Sequence, residues 1–201
     1  KTYGENEEDD MSIRILSDHV RTGVFILGDQ KGVSPSNVGQ GYILRRLIRR
    51  AVRHAHKLGI EGSFLSELAE VVIELYKKPY PELLENREFV MKELVAEEAK
   101  FSATLAKGER EFEKMLPNLL KSPNRIISGR TAFKLYDTYG YPIELTRELA
   151  AENGFEVDEK GFHEAFAKHQ ELSRAGGDQT FKGGLADHSE RTTALHTATH
   201  L

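Results

Sequence analysis

Residues 39–59 read GQGYILRRLIRRAVRHAHKLG. Arg45, Arg46, Arg49, Arg50, Arg53 and Lys57 recur at three- and four-residue steps, with no acid among them. Leu44, Leu47, Ile48, Ala51, Val52, Ala55 and Leu58 recur at the same steps. On a helix this phasing gives one buried stripe and one cationic face. Solvated helix faces usually mix signs, because opposite charges at i,i+4 attract and like charges repel. Here Arg45 and Arg49 repel, as do Arg46 and Arg50, and Arg49 and Arg53. Such a face needs a polyanion or acids from elsewhere in the fold. Arginine in place of lysine suits bidentate contact with phosphate. A membrane surface is the weakest of these partners, since Ala51 and Ala55 make the apolar stripe thin.

The rest of the chain bounds these choices. It has 201 residues and a net charge of -4, so the basic stripe is a local device on an acidic protein. That length allows one large domain or two small ones. With no cysteine there is no disulfide or thiolate chemistry. No apolar run approaches the ~20 residues of a membrane helix, and a cytoplasmic location is expected. Residue 1 is lysine, and the final LHTATHL stops within an apolar-periodic pattern, so a fragment of a longer protein is expected.

Read outward from the basic stretch, the chain is mainly α. The acidic run ENEEDD at 5–10 precedes a helical pattern from Ile13 to Leu27, with its charges suited to a helix start. A Gly/Ser/Pro-rich loop covers 28–41. A helix is expected from Ser63 to Lys77, ended by Pro79 and Pro81. A long one is expected from about Leu83 to Leu120, with Glu93, Glu97, Glu98, Glu109, Glu111 and Glu113 on its polar face. Residues 129–149 hold a helix, a turn and a second helix start, and 156–174 a further helix. Residues 175–188 read as an extended glycine-rich segment, and a last helix starts at Thr192. The expected organisation is a helical region over 1–122, a second helical part over 123–174, and a linker with the start of another domain over 175–201.

Four stretches in this order, IRILSDHVRTGVFILGD, VSPSNVGQGYILRRLIRRAVRH, TAFKLYDTYGYPIELT and LHTATHL, closely resemble bacterial-type alanyl-tRNA synthetases. The resemblance covers nearly the whole chain. It implies the helical, tRNA-recognising region after the class II catalytic core, reaching the first residues of the editing domain. The implied parent activity is ATP-dependent adenylation of alanine and its transfer to tRNA(Ala). ATP and Mg would belong to the catalytic core before residue 1, so this stretch is expected to hold no cofactor and to be inactive alone. The alternatives are a free-standing helical RNA-binding module, an editing-only hydrolase, and a structural helical linker whose arginines pair with its own glutamates.

The resemblance also implies site residues. Asn37, in the PSN loop, and Asp137, in the LYDTYG turn, would read a G·U wobble pair in the acceptor stem. A wobble pair leaves the guanine 2-amino group unpaired in the shallow minor groove, and a carboxylate is a pure acceptor for it. Read without the resemblance, both are turn or cap residues. Arg45, Arg46, Arg49, Arg50 and Arg53 would supply phosphate contacts, though not all can face RNA. His196 and His200, as H-x-x-x-H, would begin a zinc-dependent editing site whose other ligands lie downstream, so no tight zinc is expected here. Nearby His188 has no assigned role. Three departures bear on this. The β-barrel subdomain expected before the H-x-x-x-H helix has no room, Gln40 stands where arginine is common, and the loop at Asp29–Gly32 is longer than usual.

Overall fold

The computed structural model describes residues 1–180, with side chains through 172. It is almost entirely helical, with eight helices and one two-residue strand pair among the described residues. Helix α1 spans Glu7–Gly28. Its N-cap is Asn6, whose side chain accepts from the Glu8 and Asp9 amides, and Glu7 to Asp10 fill the first turn. The acidic run is therefore a helix start, as its charge suggests. Helix α2, Gly39–Lys57, carries the basic stretch and packs most extensively on α1. Leu44, Ile48, Ala51, Val52 and Ala55 are buried there. Ala51 and Ala55 are fully covered, so the thin apolar stripe brings two helix backbones close together.

Helix α3 spans Leu65–Tyr76. The long helical segment divides at Asn86 into α4, Glu82–Glu85, and α5, Arg87–Leu119. Asn86 caps the C-terminal end of α1 by donating from Nδ2 to the Gly28 carbonyl at 3.0 Å. Two glutamates expected on the polar face of α5 are buried, because each meets positive charge or dipole from another element. Glu97 faces the arginines of α2. Glu98 accepts from Ser63 Oγ and from the amides of Phe64 and Leu65, capping α3 across the tertiary contact.

Past residue 122 the chain builds two units of like order. Strand β1, Ile126–Ile127, leads into α6, Gly129–Tyr139; β2, Glu156–Val157, leads into α8, Glu159–Thr180. The strands pair in parallel, Ile126 with Glu156 and Ile127 with Val157. Helix α7, Ile143–Glu152, lies between them in sequence. The cap side chains are Ser128 on the Thr131 amide and Asp158 on the Gly161 amide. The sequence TAFKLYDTYG is helical through Tyr139, and Gly140 alone turns, at φ +68. Asp137 thus lies within a helix, where the sequence suggested a turn. Helix α8 also runs on to Thr180, past the expected break at Ala175. Once nucleated, a helix gains a backbone hydrogen bond with each added residue, which offsets the cost of Gly176 and Gly177.

One apolar cluster joins these parts. It runs from Leu16 and Val24 on α1 through Leu44, Ile73, Leu94 and Phe112 to Leu135, Tyr141, Leu145 and Phe155.

Candidate nucleic-acid interface

The cationic face of α2 points at other helices of the same chain. Helix α7 places Glu144, Glu148 and Glu152 at four-residue steps, and these meet the arginine face rung by rung. Arg46 is 3.8 Å from Glu144, Arg50 Nε is 2.6 Å from Glu148, and Arg53 is 2.7 Å from Glu152. Lys57 reaches Glu152 at 2.9 Å. Helix α5 contributes Glu97, which takes Arg49 Nε at 2.8 Å and Arg45 Nε at 3.2 Å, and Glu109, 3.9 Å from Arg53. The Arg45 and Arg50 Nε atoms meet their carboxylates off the hydrogen-bond axis, so those pairings are Coulombic.

The two halves of the stripe differ. Toward the C-terminus of α2, three cations (Arg50, Arg53 and Lys57) face three carboxylates (Glu109, Glu148 and Glu152). Arg53 is 1% exposed and is bonded through both terminal nitrogens to Glu152. Burial pushes the Glu152 carboxyl up, but the bonds from Arg53 and Lys57 outweigh it and hold Glu152 below its ordinary value. Arg53 is therefore part of the interior and cannot reach a phosphate in this arrangement. Arg50 is tied to Glu148 at the edge of the same network. Beside them His54 is buried, with Nδ1 3.0 Å from Ser12 Oγ on α1. Burial, and then the charges of Arg53, Arg50 and Lys57, push its pKa down to about 4, so the ring is neutral.

Toward the N-terminus, Arg45, Arg46 and Arg49 share two carboxylates, Glu97 and Glu144, leaving one positive charge in excess among these groups. These three arginines line a cavity of about 310 Å³, walled by Asn37 and Tyr42 on one side and by Tyr136, Pro142 and Phe166 on the other. Asn37 is exposed, and its Oδ1 accepts from Arg45. Arg45 also donates to the Pro35 carbonyl at 3.3 Å, so it braces the loop from inside. Ser36 tightens the loop further by bonding the Val38 carbonyl through Oγ at 2.7 Å. Tyr42 donates to Glu144 Oε1 at 2.6 Å, and burial followed by that bond pushes the phenol up to about 12. Arg49 lies over the Phe101 ring, 5.1 Å from its centre.

Asp137 adjoins the cavity-lining Tyr136, on the solvent side of α6, and is exposed. Asn37 and the α6–α7 corner, far apart in sequence, are thus brought to one cleft. His196 and His200, with His188, lie outside the described residues. Among the described residues no group of three or more His, Asp or Glu is placed to hold a metal. Among them, too, no helix is long and apolar enough to cross a membrane. Three participants escaped the sequence reading. Glu144 and its four-residue repeat on α7 were legible as an acidic stripe complementary to α2. Tyr42 and His169, which approaches Asp137, carried no pattern of their own.

A helical scaffold with a cationic cleft is chemically suited to bind a polyanion. A family described as tRNA synthetases class II (A) matches residues 1–200, and the chain belongs to that family. Within it, the chain is 67% identical over 199 residues to the alanine–tRNA ligase of Treponema denticola, covering 99% of this chain and 33% of that protein. It is 56% identical over 201 residues to the alanine–tRNA ligase of Borreliella afzelii, again covering 33% of the relative. The alanine–tRNA ligase of Caldicellulosiruptor saccharolyticus is 47% identical over 172 residues, 86% of this chain and 19% of that protein. The chain spans about a third of the length of the first two of these relatives.

Proposed function

We propose that this chain is the acceptor-stem-binding part of an alanine–tRNA ligase and that it selects its tRNA by a G·U wobble pair. The observation that carries the reading is the cleft. It joins the loop of Asn37, the arginines with charge to spare and the α6–α7 corner next to Asp137. Arg45, Arg46 and Arg49 hold the phosphate backbone, which dominates affinity without reading sequence. Asp137 accepts from the guanine 2-amino group, and the Asn37 amide meets a second edge of the pair. In the free protein the Asn37 oxygen is held by Arg45, so a phosphate that draws Arg45 away also releases the Asn37 carbonyl. Docking and reading are thereby coupled. Transfer of alanine to the tRNA end is the activity of the whole protein in this reading, with ATP and Mg bound outside the described residues.

The test is binding and alanine transfer with acceptor stems bearing G·U or G·C, in wild type and Asp137→Asn. The variant keeps the size of the side chain but presents donors to the amino group. Loss of a base-edge contact is expected to reduce discrimination by about 1–3 kcal/mol while G·C binding changes little. A normally folded variant that keeps the wild-type preference in both assays would refute the assignment.

A further inference from the structure

The reading of Asp137 as a base reader leaves open how an exposed carboxylate is aimed, and a second residue answers this. His169 on α8 places Nε2 3.5 Å from Asp137 Oδ1, with both side chains about half exposed. The contact is built into the packing of α6 against α8. Gly129, first in α6, abuts Gly161, third in α8. A Cβ on Gly129 would lie 2.1 Å from the Gly161 carbonyl carbon. From that crossing, Asp137 and His169 are each eight residues onward along their own helices. They still meet, so the two helices run side by side in the same direction. The His169 ring is set against Phe133, centroids 5.5 Å apart, and Phe133 packs on Phe162 and Phe166. The imidazole is therefore positioned by an aromatic cluster and not by chance surface contact.

We propose that His169 is a positioning residue for specificity. It engages one oxygen of the Asp137 carboxylate and leaves the other to accept from the guanine amino group. An exposed aspartate rotates about two bonds, and an imidazole set against one oxygen restricts that rotation. A fixed cation in the same place neutralises the carboxylate instead and competes with the base. This inference rests on the G·U reading of Asp137, and the experiment separates the two.

In the full-length protein, the ratio of Kd values for G·C and G·U acceptor-stem duplexes is measured, together with kcat and KM for transfer. The set is His169→Ala, His169→Gln, His169→Lys, Asp137→Asn and the double variant Asp137→Asn/His169→Ala. His169→Ala is expected to lower the G·U preference about three- to tenfold, the range of one polar contact. His169→Gln, which keeps an N–H group of similar reach, is expected to retain it. His169→Lys is expected to lower the preference while binding the G·C stem at least as tightly as wild type, a divergence that a misfolded variant would not give. In the double variant His169→Ala should add nothing to the loss from Asp137→Asn. If Asp137→Asn lowers the preference and His169→Ala does not, the positioning role is wrong and the base reader stands. If His169→Gln fails together with His169→Ala and both melt early, His169 is structural and the proposal is overturned. An unchanged preference in Asp137→Asn removes both readings.

Discussion

At the residue scale the interior of the network makes a prediction about pH. The folded pKa of His54 is pushed down to about 4 by burial and the cations beside it, against about 6.5 for an unfolded histidine. The unfolded chain therefore takes up a proton before the folded one does. The stability that the neutral ring contributes is present above pH ~6.5 and is lost as pH falls toward about 4. On the order of 3 kcal/mol is at stake. His19 is shifted in the same direction, first by burial and then by Arg50, and adds to the loss. Glu109 opposes it, because burial raises its carboxyl and favours the protonated form in the fold. Urea unfolding from pH 7.5 to 4.5 should show a shallower pH dependence for His54→Gln than for wild type. Equal slopes would mean that the buried ring is not the group titrating.

At the element scale, α2 is two devices on one helix, and single substitutions should separate them. Arg53→Ala leaves Glu109, Glu148 and Glu152 around an interior position without their shared cation. Removing one partner of a buried pair costs about 3–5 kcal/mol. Thermal unfolding should register it as a large loss of stability, and an unchanged melting temperature would contradict the burial of Arg53. Arg46, half exposed and 3.8 Å from Glu144, should behave oppositely. Arg46→Ala is expected to change stability by less than about 1 kcal/mol. It should weaken G·U and G·C stems alike and lower the salt slope of binding by about one unit. A salt titration that gives wild-type slope would assign the N-terminal half, too, to intramolecular pairing. Glu98 makes a parallel point on α5. As a buried cap for α3 bonded to two amides and a hydroxyl, its replacement by Ala should cost about 2–4 kcal/mol, read from the urea midpoint.

On the scale of the whole molecule, the apolar cluster crosses residue 122 without a break, through Phe101 and Phe112 on α5 to Tyr141 and Leu145 beyond it. The ion network crosses the same line, from α2 to α7. Both ties favour unfolding as one cooperative unit. Calorimetry and circular dichroism on the 201-residue chain should give one coincident transition. Two separated transitions would mean that 123–174 folds apart, as a sequence division at 122 suggests, and that the ladder is weaker than its geometry implies.

The sequence by itself determined the helical class, the order of most helices and the family. These depend on local periodicity, on helix-start charge such as the acidic run at 5–10, and on long ordered motifs, all properties of neighbouring residues. It also showed that the arginine face of α2 requires negative charge. What supplies that charge was decided only by tertiary structure, because charge compensation depends on distance in space. Glu144, Glu148 and Glu152 stand about a hundred residues from the arginines that they meet. The same holds for the burial of Glu97 and Glu98 and for the approach of His169. Each follows from how helices cross, at contacts such as Gly129 on Gly161, and no local pattern encodes a crossing.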